Sequence, residues 1–152
     1  MSGKVAPYIR KQIAEELFGG LSQINFGDAY LGAGLASSVP TVNGSKYYSG
    51  FSEPPAGVGC GRELVGNYSQ PNSIFFGGVT YGDDGSVTIK NTKEIKFDTY
   101  RGSSALSIKY IMLFHGQSTS NVSLYFELDT PITLNPNELL VIPAGQATCK
   151  IL

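Results

Sequence analysis

A chain of 152 residues with 41% hydrophobic side chains is long enough to close one domain around a sizeable core. Charged residues amount to only 15% and the formal net charge is -1, which excludes a bulk electrostatic pull on nucleic acid or on an anionic membrane. No stretch approaches the ~18 uninterrupted apolar residues of a membrane-crossing helix, so no membrane insertion is expected. The thin charge leaves the surface to Ser, Thr, Asn, Gly and Tyr. Such a surface suits a protein held in an assembly, with a soluble monomer as the alternative.

The N-terminal stretch 4–18 predicts the one amphipathic helix. Val5, Ile9, Ile13 and Leu17 recur every four residues, with Tyr8 and Phe18 beside them, and Gly19-Gly20 stops the run. Pro7 is tolerated in a first turn, where its missing N–H costs little. Residues 1–20 are expected to form a helix that either packs on the side of its own sheet or serves as an arm docking on a neighbouring subunit. Lys4 is followed by mixed polar and apolar residues rather than by an apolar signal segment, so the chain is expected to be made in a cytosol with no secretory signal. Cys60 and Cys149 then read as free thiols, with a disulfide as the alternative.

From residue 21 onward the periodicity is that of strands. Ala29–Leu35 reads as a strand whose glycines mark a close neighbour or a bend. Residues 36–59 are rich in Ser, Pro and Gly and predict a long loop, with a brief strand at Tyr47–Phe51. Tyr47, Tyr48 and Phe51 are either a contact surface or aromatics folded back over the core edge. Residues 62–65 predict a strand. Residues 73–80 and 86–90 flank Asp83-Asp84-Gly85 and predict a hairpin with a tight Asp-Gly turn. Residues 94–97 predict another short strand. Ala105–Phe114 predicts a central strand, with Leu106, Ile108, Tyr110, Met112 and Phe114 on one face and Ile111 and Leu113 on the other. Then follow Leu124–Leu128, a break at Pro131, Ile132–Leu134, a turn at Asn135-Pro136-Asn137, Glu138–Ile142, a turn at Pro143-Ala144-Gly145, and a last run ending on Ile151-Leu152. That final run is expected to be stitched into a sheet, because each buried Ile or Leu gains roughly 1.5–3 kcal/mol. About eight short strands with long loops predict an all-β, single-domain antiparallel β-sandwich, jelly-roll-like, over 21–152.

Chemistry-bearing patterns are sparse. The single histidine, His115, stands at a strand end with no nucleophile elbow to serve. Asp83-Asp84 are turn formers beside Gly85. Glu127 and Asp129 share a strand face and read as a solvated edge rather than a glycosidase pair. Cys60, Cys149 and His115 lack ligand spacing, so no metal is expected. Gly57-Val58-Gly59-Cys60-Gly61-Arg62 fits neither a dinucleotide nor a phosphate loop, so no cofactor is expected. Lys90, Lys93, Lys96, Arg101 and Lys109 read as the charged face of an edge strand or as a patch for an acidic partner, and no nucleic acid is expected. No catalytic residue is assigned, and the chain is expected not to be an enzyme.

The order of features carries a resemblance. A helix ending Leu17-Phe18-Gly19-Gly20 comes first, then Tyr30-Leu31-Gly32-Ala33-Gly34-Leu35, Val39-Pro40-Thr41, Glu53-Pro54 and Gly59-Cys60-Gly61-Arg62. After Ile95-Lys96-Phe97 and the strand 106–114, the chain closes with Leu124–Leu128, Pro131–Leu134 and Ile142-Pro143-Ala144-Gly145. This resembles a family of small tailed-bacteriophage virion proteins, tail-fibre-like or related to head decoration (auxiliary capsid) proteins. The sequence departs from it in having no tryptophan and an enlarged 43–58 loop. The resemblance covers nearly the whole chain. It implies a non-enzymatic structural protein of the virion, synthesised in the bacterial host cytoplasm. It would sit on the outer surface of the particle, in contact with major capsid or tail proteins, as a homo-oligomer or symmetric array. The expected partner-docking residues are Tyr8, Ile9, Ile13, Leu17, Phe18, Tyr47, Tyr48 and Phe51. The alternative is a carbohydrate-binding module for a host glycan, with Tyr47, Tyr48, Phe51 and Tyr68 stacking on sugar rings.

Overall fold

A computed structural model describes residues 3–9, 28–44, 46–66 and 75–151 of the chain. The regular structure among the described residues is β apart from one helical turn at 7–9, and every strand pairing among them is antiparallel. The largest sheet is built on β9 (Leu106–His115), flanked by β10 (Val122–Leu134) and β2 (Ala29–Leu35). Outside β2 lies β5 (Glu63–Gly66). Outside β10 lies β4 (Tyr47–Ser49), with β3 (Thr41–Asn43) beyond it. Further along β10, β1 (Gly3–Val5) takes up the same ladder, with Gly3 opposite Phe126 and Val5 opposite Leu124.

Two smaller sheets complete the fold. β7 (Val87–Asn91) lies between β12 (Thr148–Ile151) and β6 (Phe76–Tyr81). β8 (Ile95–Lys96) pairs with β11 (Val141–Ile142). One buried cluster joins all three sheets: Leu31, Val65, Ile111 and Phe126 from the large sheet meet Ile95 and Ile142 from the smallest and Cys149 from the third. The all-β expectation therefore holds, and Thr148–Ile151 is stitched to β7 as expected.

The N-terminal expectation needs correction. Lys4 and Val5 are not helical but lie in β1, and helical geometry begins only at Pro7 and continues through Ile9. Pro7 supplies the reason: its ring disfavours helical geometry at the residue before it, so no helix can run through Ala6. Val5, β-branched, is better placed on the open ladder of β10. The remainder of the expected helix lies outside the described residues.

The central strand is also corrected. Leu106, Ile108, Tyr110, Met112 and Phe114 do not share one face. Gly34 pairs with Tyr110 but Leu35 with Ile108, so β9 bulges at Lys109. On its other side Glu127 pairs with Tyr110 and Ile132 with Ile108, so β10 bulges too, and Pro131 sits within the strand rather than ending it. A bulge reverses the alternation of faces. Ile108 and Ile111 thus join the shared core with Leu106 and Leu113 packed on them, while Tyr110, Met112 and Phe114 form a second cluster on the opposite face. The Lys109 ammonium donates to the carbonyls of Leu128 and Asp129, which the bulge frees from the ladder.

Shorter features follow their local chemistry. The 82–86 turn closes with Gly82 donating to the Ser86 carbonyl at 2.9 Å and Gly85 at φ +77°, as Asp-Gly predicts. The 36–59 region carries a hairpin, β3 and β4, where one brief strand was expected. Both cysteines are free and buried.

Candidate functional site

The second cluster sets the stage for the site, because it lies on the face of the large sheet turned away from the shared core. Met112, Phe114, Val122 and Tyr125 are buried there, and Tyr30, Tyr48 and Phe51 pack on them. The Tyr48 ring meets Tyr125 edge-on at 4.7 Å, and Phe51 meets it at 6.4 Å. These two aromatics of the expected docking set are folded back over the core edge. Tyr47 meets Tyr8 at 5.0 Å, Tyr8 N–H donates to the Lys46 carbonyl at 3.1 Å, and Ala6 N–H donates to Ser123 at 2.8 Å. Ile9 is buried. The structure thus packs Tyr48 and Phe51 against Tyr125 and Tyr47 against Tyr8, contacts within their own chain. Ile13, Leu17 and Phe18 of the docking set lie outside the described residues, as does Tyr68.

The strongest side-chain constellation on that face is one that the sequence reading did not single out. Arg62 lies flat over Phe114, its guanidinium carbon 3.4 Å from the ring centroid. Nε donates to Glu53 Oε1 at 3.0 Å and Nη2 donates to Oε2 at 2.9 Å, a forked pair. Nη1 donates to the carbonyls of Gln117 at 2.9 Å and Thr119 at 2.7 Å, so the same cation fixes the turn after β9. Gly32 makes room for this stack: a Cβ there would stand 2.8 Å from the Phe114 ring and 2.9 Å from Glu53 Oε1. Nothing local in the sequence ties Glu53 to Arg62, and partners that are backbone carbonyls leave no side-chain signature.

The remaining candidates resolve into structural roles. Glu127 lies 3.8 Å from Lys4 and 3.9 Å from Lys109, an ion-paired edge. Asp84 accepts from Lys150 at 2.7 Å and from Ser86, and these hydrogen bonds hold its carboxyl well below the usual range. The basic residues do not form one patch. Lys90 is on β7, the middle strand of its sheet, Lys96 pairs with Glu94 at 3.1 Å, and Lys109 turns inward. They therefore do not guard a single sheet edge. Among the described residues no group of three or more His, Cys, Asp or Glu is placed to hold a metal ion, and no helix is long and apolar enough to cross a membrane.

Burial pushes the Cys60 thiol up from about 9 to about 11, helped by the nearby carboxylates of Glu63 and Asp98. A thiol whose folded value is raised stabilises the fold below its unfolded value, and that contribution is lost as pH rises through the folded one. Urea midpoints of the native chain are expected to fall between about pH 9 and 11, and those of Cys60→Ala to fall less over the same window. Equal slopes for the two proteins would show that Cys60 does not contribute.

No protein-family model matches the chain, and no curated protein matches it.

Proposed function

We propose that the chain is a non-enzymatic structural protein of a tailed-bacteriophage virion. It is carried on the outer surface of the particle as an auxiliary or decoration capsid protein or a tail-fibre-like component, and its fold is a jelly-roll-like β-sandwich. It acts through protein–protein contacts in a symmetric array, as the sequence resemblance implies. The observation that carries this reading is the state of two sheet edges. β3 and β6 end their sheets, and among the described residues no strand pairs with the outer side of either. Neither carries a charged residue. Val42 and, just before β3, Val39 are 46% and 67% exposed, while Val79 and Tyr81 on β6 are 48% and 82% exposed. Free edges are ordinarily blunted with Lys or Pro. Pro40 borders β3, but both edges are uncharged and each bears an exposed valine, Val42 on β3 and Val79 on β6, so each copy has two places at which a neighbour can be seated, which is what a repeated array requires.

The test is the particle itself. Purified virions are expected to contain the protein in stoichiometric amount. Val79→Lys with Tyr81→Lys is expected to abolish its incorporation while shifting the melt of the free protein by no more than about 0.5 kcal/mol. A protein confined to the cytosol of infected cells, and absent from purified particles, would overturn the reading.

A further inference from the structure

We propose that the cleft between the segment after β4 and the turn after β9 binds one neutral sugar ring. This goes beyond the virion role and does not depend on it. The cleft has a volume of about 250 Å³. Phe51 and Glu53 line it from the first segment, Ser118, Thr119 and Ser120 from the second, and Arg62 joins the two. Its volume is below the ~300–1,000 Å³ of clefts for drug-sized ligands, so it admits a single ring rather than an extended chain.

The charge pattern selects a neutral ligand. Arg62 sends Nε and Nη2 to Glu53 and Nη1 to the turn carbonyls. A phosphate or carboxylate would have to displace partners the guanidinium already holds. Glu53, in contrast, has one short bond from Arg62 at each oxygen, and an ionised carboxylate offers about four acceptor positions. Its unused lone pairs suit hydroxyl donors, not anions. Ser118 and Ser120 are exposed, and each hydroxyl can both donate and accept. The half-buried Phe51 ring supplies an apolar surface for the C–H face of a pyranose. The serine-bearing turn is clamped through its own backbone by a cation that is only 14% exposed. The polar groups are therefore held in place before a ligand arrives, and less ordering is lost on binding.

Saturation-transfer NMR on the full chain tests this with methyl glucoside, methyl galactoside, N-acetylglucosamine and N-acetylgalactosamine. Glucuronate and glucose 6-phosphate serve as charged counterparts. At least one neutral sugar is expected to bind with a Kd on the order of 1 mM. Ser118→Ala with Ser120→Ala, both exposed positions, is expected to weaken it about tenfold with an unchanged melt. A neutral trisaccharide ending in the same sugar distinguishes sources: tighter binding points to the terminus of a glycan, equal binding to the free monosaccharide. No transfer from any neutral sugar, unchanged binding in the double variant, or preference for the charged sugars would each overturn the proposal.

Discussion

Replacing Arg62 with alanine is expected to lower the stability of the fold by about 3 kcal/mol, read as a shift in the urea midpoint. The loss has three sources that act together. The Glu53 carboxylate, 35% exposed, is left without its forked partner. The carbonyls of exposed Gln117 and half-buried Thr119 lose a charged donor, and a hydrogen bond to a charged group contributes about 1.5–3 kcal/mol. The Phe114 ring loses the flat cation that covers it. Arg62→Lys is expected to recover little, because an ammonium keeps the charge but cannot make the fork, lie over the ring and reach the turn at once. Glu53→Gln is expected to cost less, about 1–2 kcal/mol, since it keeps the shape and leaves the turn carbonyls satisfied. Changing both partners to apolar residues is expected to cost less than the sum of the two single changes. Strict additivity would show that the pair does not act as a unit.

Gly59→Ala is expected to be comparably severe, on the order of 3 kcal/mol. The residue sits at φ +80°, and an added Cβ would overlap the Thr99 carbonyl oxygen, which is backbone and cannot swing aside. The neighbouring backbone is pinned on both sides, with Cys60 N–H donating to Asp98 at 3.0 Å and Arg101 N–H donating to Val58 at 2.6 Å. Gly57 provides the control within the same loop. Its φ is +84°, but nothing stands within 4 Å of the position a Cβ would take. Gly57→Ala is therefore expected to cost only about 1 kcal/mol, the strain of the left-handed backbone alone. Thermal or urea melts of the two variants side by side separate conformational strain from collision. Equal losses would show that the clash at Gly59 relaxes away.

These two sites mark what the chain makes legible and what it hides. Alternation and turn chemistry were enough for the Asp83-Asp84-Gly85 hairpin, for the strands at 29–35 and 106–115, and for the last strand at 148–151, because each is written in neighbouring residues. Gly57 and Gly59 were visible as glycines that fit no phosphate loop, but their purpose lies in φ and in the approach of Thr99. The faces of β9 were misread because the bulge at Lys109 is set by pairing with strands far along the chain. Tyr47, Tyr48 and Phe51 were recognisable as aromatics of one loop, and it is packing on the cluster that holds Tyr125, far along the chain in β10, that folds Tyr48 and Phe51 inward. Arg62 was the hardest to see, since its carbonyl partners are up to 57 residues away. The N-terminal stripe at Val5, Ile9, Ile13 and Leu17 has helical spacing, yet Pro7 and the vacant ladder of β10 turned its first residues into strand.

The pairing of β1 with β10 sets a timetable for synthesis. Residues 3–5 leave the ribosome well before their partners at 124–126. β2 likewise waits for β9. At ~5–20 residues per second, the apolar strands of the first half stand without their partners for several seconds. Sheets assembled from such distant pieces also close slowly. The nascent chain is therefore most exposed to mispairing with its sister chains before β9 and β10 emerge.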